Sequence, residues 1–302
     1  MNESISIGAR RRAQTGRARR RRQRRIYGAV SLISLLLCLS LLAGFLFVTL
    51  GNRSAEQTNQ RLNDIFHGVS FSPRFRFSLI AQASAEEAED GEPISSRLSE
   101  LYAINPDLIG WLIAGEDISE PVVLRDNSYY LDHDFYGEKS KSGTVFADEL
   151  NAEWQTDPVL IVYGHNMRNG SMFGKMTSFR KQKYFAAQGL FEFYSTYDDS
   201  VTYYAPFAVF DASMNEGNRS YFYLRRYDSF GDEAGLSDYL EEIRSRSIMD
   251  VPVDVNAQDQ ILCLVTCSYS NSNGRLMLFA RALRPSETRE EMEALVAEAK
   301  KK

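Results

Sequence analysis

QILCLVTC (Gln260–Cys267) and GRLMLFARAL (Gly274–Leu283), joined by the polar loop Ser268–Asn273, read as the last pair of β-strands in the chain. The first run ends in Thr-Cys, which places the Cys267 sulfur at the rim of a sheet, and the polar SYSNSNG that follows carries it out of the core. Cys263 shares its face but lies inside the run, so it is expected in the core. Four residues at ~3.3 Å each put the two cysteines about 13 Å apart, whereas a bridge needs Cα atoms within about 7 Å. Arg275 opens the second strand and, with the hairpin folded, stands close to Cys267. Its guanidinium is a fixed multi-donor cation able to hold an oxyanion or a carbonyl. Arg281 is on the same face about 20 Å further along and is the weaker partner. The competing reading of each arginine is a solvated strand position.

The chain has three cysteines and three histidines, so a thiol paired with an imidazole is a restricted choice. A free thiol titrates near ~8.5 and needs a cation or base to act as a nucleophile. His165 meets that need best. It follows the strand PVLIVYG (Pro158–Gly164) within YGHNM (Tyr163–Met167), at a strand-to-loop edge where functional groups collect. His67 falls in a linker and His133 among the acids of YLDHDF. Cys267 and His165 form a candidate nucleophile and base, provided the fold brings them together. A zinc site from Cys263, Cys267 and His165 is disfavoured, because the strand spacing does not suit a tetrahedron and no fourth ligand is at hand.

Outward from these segments, GWLIA (Gly110–Ala114), PVVL (Pro121–Leu124) and GTVFAD (Gly143–Asp148) are short strands between turn-rich stretches, as in a sandwich or barrel. LFEFYS (Leu190–Ser195) and VTYYAPFAVFDAS (Val201–Ser213) form a hairpin about Asp198-Asp199. Helical spacing marks Leu98, Leu101 and Tyr102, a short helix over Ser171–Phe179, and an amphipathic helix over Ser229–Ser247 with Leu236, Tyr239, Leu240 and Ile243 on one face. Residues 286–302 read as a charged terminal helix or tail.

Charge divides the chain further. Residues 1–25 hold ten arginines and one acid, a basic arm of +9, which leaves −14 for the rest of a chain whose total is −5. Residues 26–50 are uncharged and apolar; as a helix they would span roughly 37 Å against a hydrocarbon core of about 30 Å. A cleaved signal peptide has a shorter apolar core and a small-residue cleavage pattern. The expectation is therefore an uncleaved transmembrane anchor at 26–50, with 1–25 cytoplasmic and the body exported. Residues 51–92 read as an extracellular stalk with an acidic spacer, and 93–285 as the globular domain. The acidic body argues against nucleic-acid binding.

Taken together, the stretches PDLIGWLIA, DNSYYLDHDFYG, KSGTVFAD, VYGHNMRNGSMF, LVTC and GRLMLFARAL resemble the class B sortases, over roughly residues 98–284. The resemblance implies a mainly β fold: a closed eight-stranded barrel with an N-terminal helix and a further helix between the sixth and seventh strands. It implies Cys267 as nucleophile, His165 as its acid/base partner and Arg275 as the group that steadies the oxyanion. Asn127, Leu131, Tyr163 and Thr266 match positions lining the groove for a C-terminal sorting signal. The implied partners are surface proteins bearing such signals, an acceptor amine of the peptidoglycan precursor, and the bilayer through 26–50. No metal or organic cofactor is implied. A pilus-type enzyme using a pilin Lys amine, or an anchored binding module without activity, are the alternatives. Val265 and Glu120 depart from the family pattern, the first replacing a small polar residue and the second an aromatic; both bear on substrate preference more than on catalysis.

Overall fold

Ten strands are described: β1 (Leu108–Ala114), β2 (Ile118–Val123), β3 (Phe146–Ala147), β4 (Val159–Tyr163), β5 (Phe191–Ser195), β6 (Val201–Ser213), β7 (Met249–Asp250), β8 (Ile261–Ser268), β9 (Gly274–Ala282) and β10 (Lys300–Lys301). Eight of them close into a barrel in the order β1-β2-β3-β4-β8-β9-β6-β5, with β5 returning to pair antiparallel with β1. These strands belong to a computed structural model that describes residues 27, 30–45, 56–68, 94–229, 233–268 and 273–302. The chain divides into two units, Met1–Ser54 and Ala55–Lys302.

The apolar run of β8 follows from its place in the barrel. It lies between β4 and β9, and Ile261 through Thr266 are all buried, so no residue of that stretch alternates toward solvent. Cys263 is fully buried, and burial pushes its thiol well above the usual range, as befits a core residue. The predicted hairpins and strands all appear, and the helix Glu233–Arg246 follows β6 and precedes β8, the seventh barrel strand. It buries Leu236, Tyr239, Leu240 and Ile243 in the main core. The stretch expected to be helical after Ser171 is a 3-10 helix over Gly174–Arg180.

Two expectations change, and a third is narrowed. The segment 51–92 is not all stalk: residues 56–66 form a helix whose Leu62 and Phe66 are buried in a second core cluster. The Phe66 ring stacks on Trp111 of β1 at 4.6 Å, and Asn63 bonds both the Ser119 carbonyl and its hydroxyl. Arg281 is not a solvated strand residue. It is completely buried, and its guanidinium pairs with Glu287 at 2.5 Å and with Asp254 at 3.2 Å. Of the two readings of the charged terminal segment, helix or tail, the helix is found: Arg289–Ala297, with a Thr288/Glu291 capping box and buried Met292 and Val296; β10 beyond it pairs with β7.

In the first unit a helix runs over 30–45. Among the described residues no helix is long and apolar enough to cross a membrane. The ends of the expected 26–50 span, the basic arm, the spacer and residues 269–272 of the final loop lie largely or wholly outside the described residues.

Glu120 is the one carboxylate in β2, and it is buried; among the described residues its hydrogen-bond donors are amides alone, Asn59 Nδ2 at 3.0 and 3.1 Å and the Met172 N–H at 3.0 Å. Desolvation pushes its pKa from 4.5 to about 8, against the smaller opposing effect of the Met172 bond. Asp134 lines the same small cavity and offers no compensating positive charge. Between those two values the unfolded chain releases a proton that the folded chain keeps, so this group lowers stability as pH rises from about 4.5 to about 8. Glu120→Gln, which imitates the neutral acid, is therefore expected to gain stability over the wild type by on the order of 3 kcal/mol between pH 5 and pH 8. Urea unfolding at the two pH values measures this; a difference that does not change with pH rules it out.

Candidate active site

β4 and β8 are parallel neighbours, in register from Val159↔Ile261 to Tyr163↔Val265. Two residues beyond that last pair, one on each chain, come His165 and Cys267, so both leave the barrel at the same rim. The two chains are laced there. The Gly164 N–H donates to the Val265 carbonyl at 3.1 Å, the Thr266 hydroxyl donates to the Gly164 carbonyl at 2.7 Å, and Asn166 Nδ2 donates to the Cys267 carbonyl at 2.8 Å. The hairpin β8–β9 adds the third group, because Cys267 and Arg275 are direct cross-strand partners.

A cleft of about 250 Å³ opens at this rim, and all seven residues singled out from the sequence line it: Cys267, His165, Arg275, Asn127, Leu131, Tyr163 and Thr266. They are not equivalent. Cys267 is half-buried and unbridged. Leu131 is 44% exposed, an apolar side chain open to the cleft. Thr266 is buried and its hydroxyl is committed to Gly164. His165 Nε2 lies 2.7 Å from the Leu131 carbonyl. A carbonyl only accepts, so the neutral ring carries its proton on Nε2 and keeps Nδ1 as the basic lone pair. Among the described residues Arg275 Nη1 bonds the neighbouring Gly274 carbonyl at 3.0 Å, and no carboxylate pairs with it. Its positive charge is left for a group entering the cleft.

The sequence reading missed a second set of residues on the cleft wall. Asp148, at the end of β3, is completely buried yet lines the cleft with Arg225. Its carboxylate accepts from the Tyr163 hydroxyl at 2.7 Å, from the Leu150 N–H at 3.0 Å and from Asn127 Nδ2 at 3.3 Å. Arg225 Nη2 completes the set at 3.1 Å, and also reaches Glu149 at 3.2 Å. Burial and the adjacent Asp148 charge hold the Tyr163 phenol above its usual range, so Tyr163 is a fixed neutral donor. Asp148 was legible only as the end of GTVFAD. Arg225 comes from a 3-10 turn, Leu224–Ser229, that the sequence does not tie to that strand. A carboxylate closing an apolar strand is the signal that could have prompted a search for its cation.

The turn after β4 is close-packed. A Cβ on Gly164 would lie 2.6 Å from the Phe173 ring, and one on Gly174 would lie 2.3 Å from the Met167 carbonyl oxygen. Phe173 in turn donates its N–H to the His165 carbonyl at 3.0 Å. The loop thus folds back on the residue that begins it.

No family model matches the chain. It is 29% identical over 191 residues to sortase B of Listeria monocytogenes, which covers 61% of this chain and 73% of that protein. It is 27% identical over 202 residues to sortase B of Staphylococcus aureus, covering 65% of this chain and 78% of that protein. The crystal structure of Clostridium perfringens sortase B superposes with a TM-score of 0.54 and 31% identity, covering 62% of this chain and 99% of that one.

Gly164→Ala is expected to push Phe173 outward and destabilise the Ala55–Lys302 unit by about 1–3 kcal/mol, the usual cost of overpacking. Gly217→Ala, where an added Cβ meets nothing within 4 Å, is the control and should change stability by less than about 0.5 kcal/mol. Equal effects of the two substitutions in urea unfolding would sink the packing argument.

Proposed function

Because the chain belongs to the class B sortases, which are cysteine transpeptidases, we propose that Cys267 is the acyl carrier for proteins bearing a C-terminal sorting signal. The observation that carries this reading is the pairing of Cys267 with Arg275 across one hairpin, with the His165 loop laced to the Cys267 strand. The Cys267 thiol gives its proton to His165, and its sulfur attacks the carbonyl carbon of the signal's Thr. The C–S bond forms as the carbonyl π electrons move to oxygen, and Arg275 donates hydrogen bonds to that oxyanion. On collapse the C–N bond breaks, and protonated His165 delivers a proton to the departing amine. The thioacyl enzyme is resolved by an incoming amine, which loses a proton to His165 as the thiolate leaves.

The cleft offers the substrate both apolar and polar contacts. Leu131 supplies exposed apolar surface, while Asn127 and Tyr163 are held in place by Asp148. Asn127 also accepts the Glu149 N–H at 3.0 Å, which fixes its amide. Thr266 acts by shaping the wall from behind. The acceptor is the amine of a cell-wall precursor. The apolar run at 26–50 behind ten arginines supports a single-pass anchor with the catalytic unit outside the cell.

The test is incubation of the protein with Leu-Pro-x-Thr-Gly and Asn-Pro-x-Thr-Asn peptides, with and without amines. Mass spectrometry should detect a thioester on Cys267, absent in Cys267→Ala. Arg275→Ala should lower kcat by about 10²–10³-fold and His165→Ala by about 10²–10⁴-fold. Resolution by a peptidoglycan-stem amine in preference to a pilin Lys domain is expected. Absence of any thioester across the peptides, with Cys267→Ala indistinguishable from wild type, refutes the proposal.

A further inference from the structure

Glu120 and Met172 are joined in a way that the cleft itself does not require. Met172 is buried and sits at φ 52°, the left-handed region that an unbranched L side chain enters at a cost of about 1 kcal/mol or more. Something must hold it there. Its N–H donates to the Glu120 carboxyl, and it forms an antiparallel bridge with Asn166. Asn166 is the residue whose amide holds the Cys267 carbonyl, and the next residue after Met172, Phe173, bonds back to His165. The strained residue therefore closes the loop that carries His165 and touches the Cys267 strand.

On its other side Glu120 is gripped by Asn59, from the helix over 56–66. A carboxyl with no cation in reach among the described residues is a costly thing to bury in β2, where an apolar residue would pack without penalty. Its two bonded partners explain the position: one is the strained loop residue, the other the helix.

We propose that Glu120 is a positioning residue for the Cys267–His165 pair, holding the His165 loop closed through Met172 and linking that closure to the 56–66 helix through Asn59. This rests on the transpeptidase reading for its kinetic consequence, but not for its structural one. Glu120 does not line the cleft. Its loss should therefore lower the rate of acylation and leave peptide binding alone.

The experiment uses the full chain with Glu120→Gln, Glu120→Leu, Asn59→Ala and the Asn59→Ala/Glu120→Leu double variant. Gln keeps an acceptor for the Met172 N–H; Leu fills similar space without one. Glu120→Leu is expected to lower kcat for thioacylation about 10-fold or more with KM within about 3-fold, and Glu120→Gln to restore kcat to within about 3-fold of wild type. Asn59→Ala should lower kcat by a few-fold, and the double variant should be no worse than Glu120→Leu, since the two act on one element. In parallel, the pH dependence of Cys267 alkylation by iodoacetamide is measured, because it reports the thiol's surroundings without any peptide. It should shift in Glu120→Leu and not in Glu120→Gln. If no peptide acylates the wild type, the transpeptidase reading fails while the alkylation contrast still decides this proposal. Equal behaviour of Gln and Leu in kcat and alkylation overturns it. If the Leu variant does not fold, Asn59→Ala decides, and unchanged kcat and alkylation there overturn it.

Discussion

The parallel pairing of β4 with β8 is the constraint on which the site depends. Parallel neighbours present their C-terminal ends at the same rim, so a loop leaving β4 and a thiol ending β8 meet there although the register pairs Tyr163 with Val265 across more than a hundred residues. Antiparallel pairing would send the His165 loop to the opposite end of the barrel. A parallel pair needs a long crossover, and here β5, β6 and the helix Glu233–Arg246 supply it. The hairpin return of β9 then costs only a short loop and brings Arg275 directly opposite Cys267. Two pairings, one parallel and one antiparallel, thus assemble three groups from distant parts of the chain.

The two arginines of the cleft differ in what remains of their charge. Arg225 is matched by Asp148 and Glu149, and its ion pairs fasten the turn after β6 to the end of β3. Arg275 is matched by no described carboxylate and spends one donor on a neighbouring carbonyl. A negative charge developing near Cys267 would find a cation there already desolvated on one side and not yet neutralised. Asp148 serves the opposite purpose. Completely buried and bonded on several sides, it converts Tyr163 and Asn127 from mobile polar side chains into fixed donors and acceptors on the wall.

What could be seen in the sequence was what depends on local pattern. The continuous apolar run of β8, the hairpin to β9, the strand-end positions of Cys267 and His165 and the core position of Cys263 all follow from period, length and flanking polarity. What could not be seen depends on partners far away in the chain. Arg281 looks like a surface residue until Glu287 and Asp254 are folded around it. The 56–66 segment, QTNQRLNDIF after Glu56, is mostly polar and offers three apolar anchors, Leu62, Ile65 and Phe66, too few to declare a packed helix without Trp111 to receive Phe66. Arg225 likewise has meaning only once Asp148 is known to be buried.

Glu120 illustrates how such a distant partner changes the reading of a residue. As a departure before Pro121 from an aromatic position, it pointed to substrate preference; its carboxyl in fact faces away from the cleft, into the contact between β2, the 56–66 helix and the His165 loop. An aromatic side chain there could fill space but could not accept the Met172 N–H. A left-handed residue whose N–H is buried needs an acceptor as well as room, since the unpaired donor would add about 1–3 kcal/mol to the backbone strain. The buried carboxyl and the strained methionine are each unfavourable alone, and each removes part of the other's cost. That mutual compensation is how a barrel of otherwise apolar packing can hold an irregular loop in one shape beside the Cys267 strand.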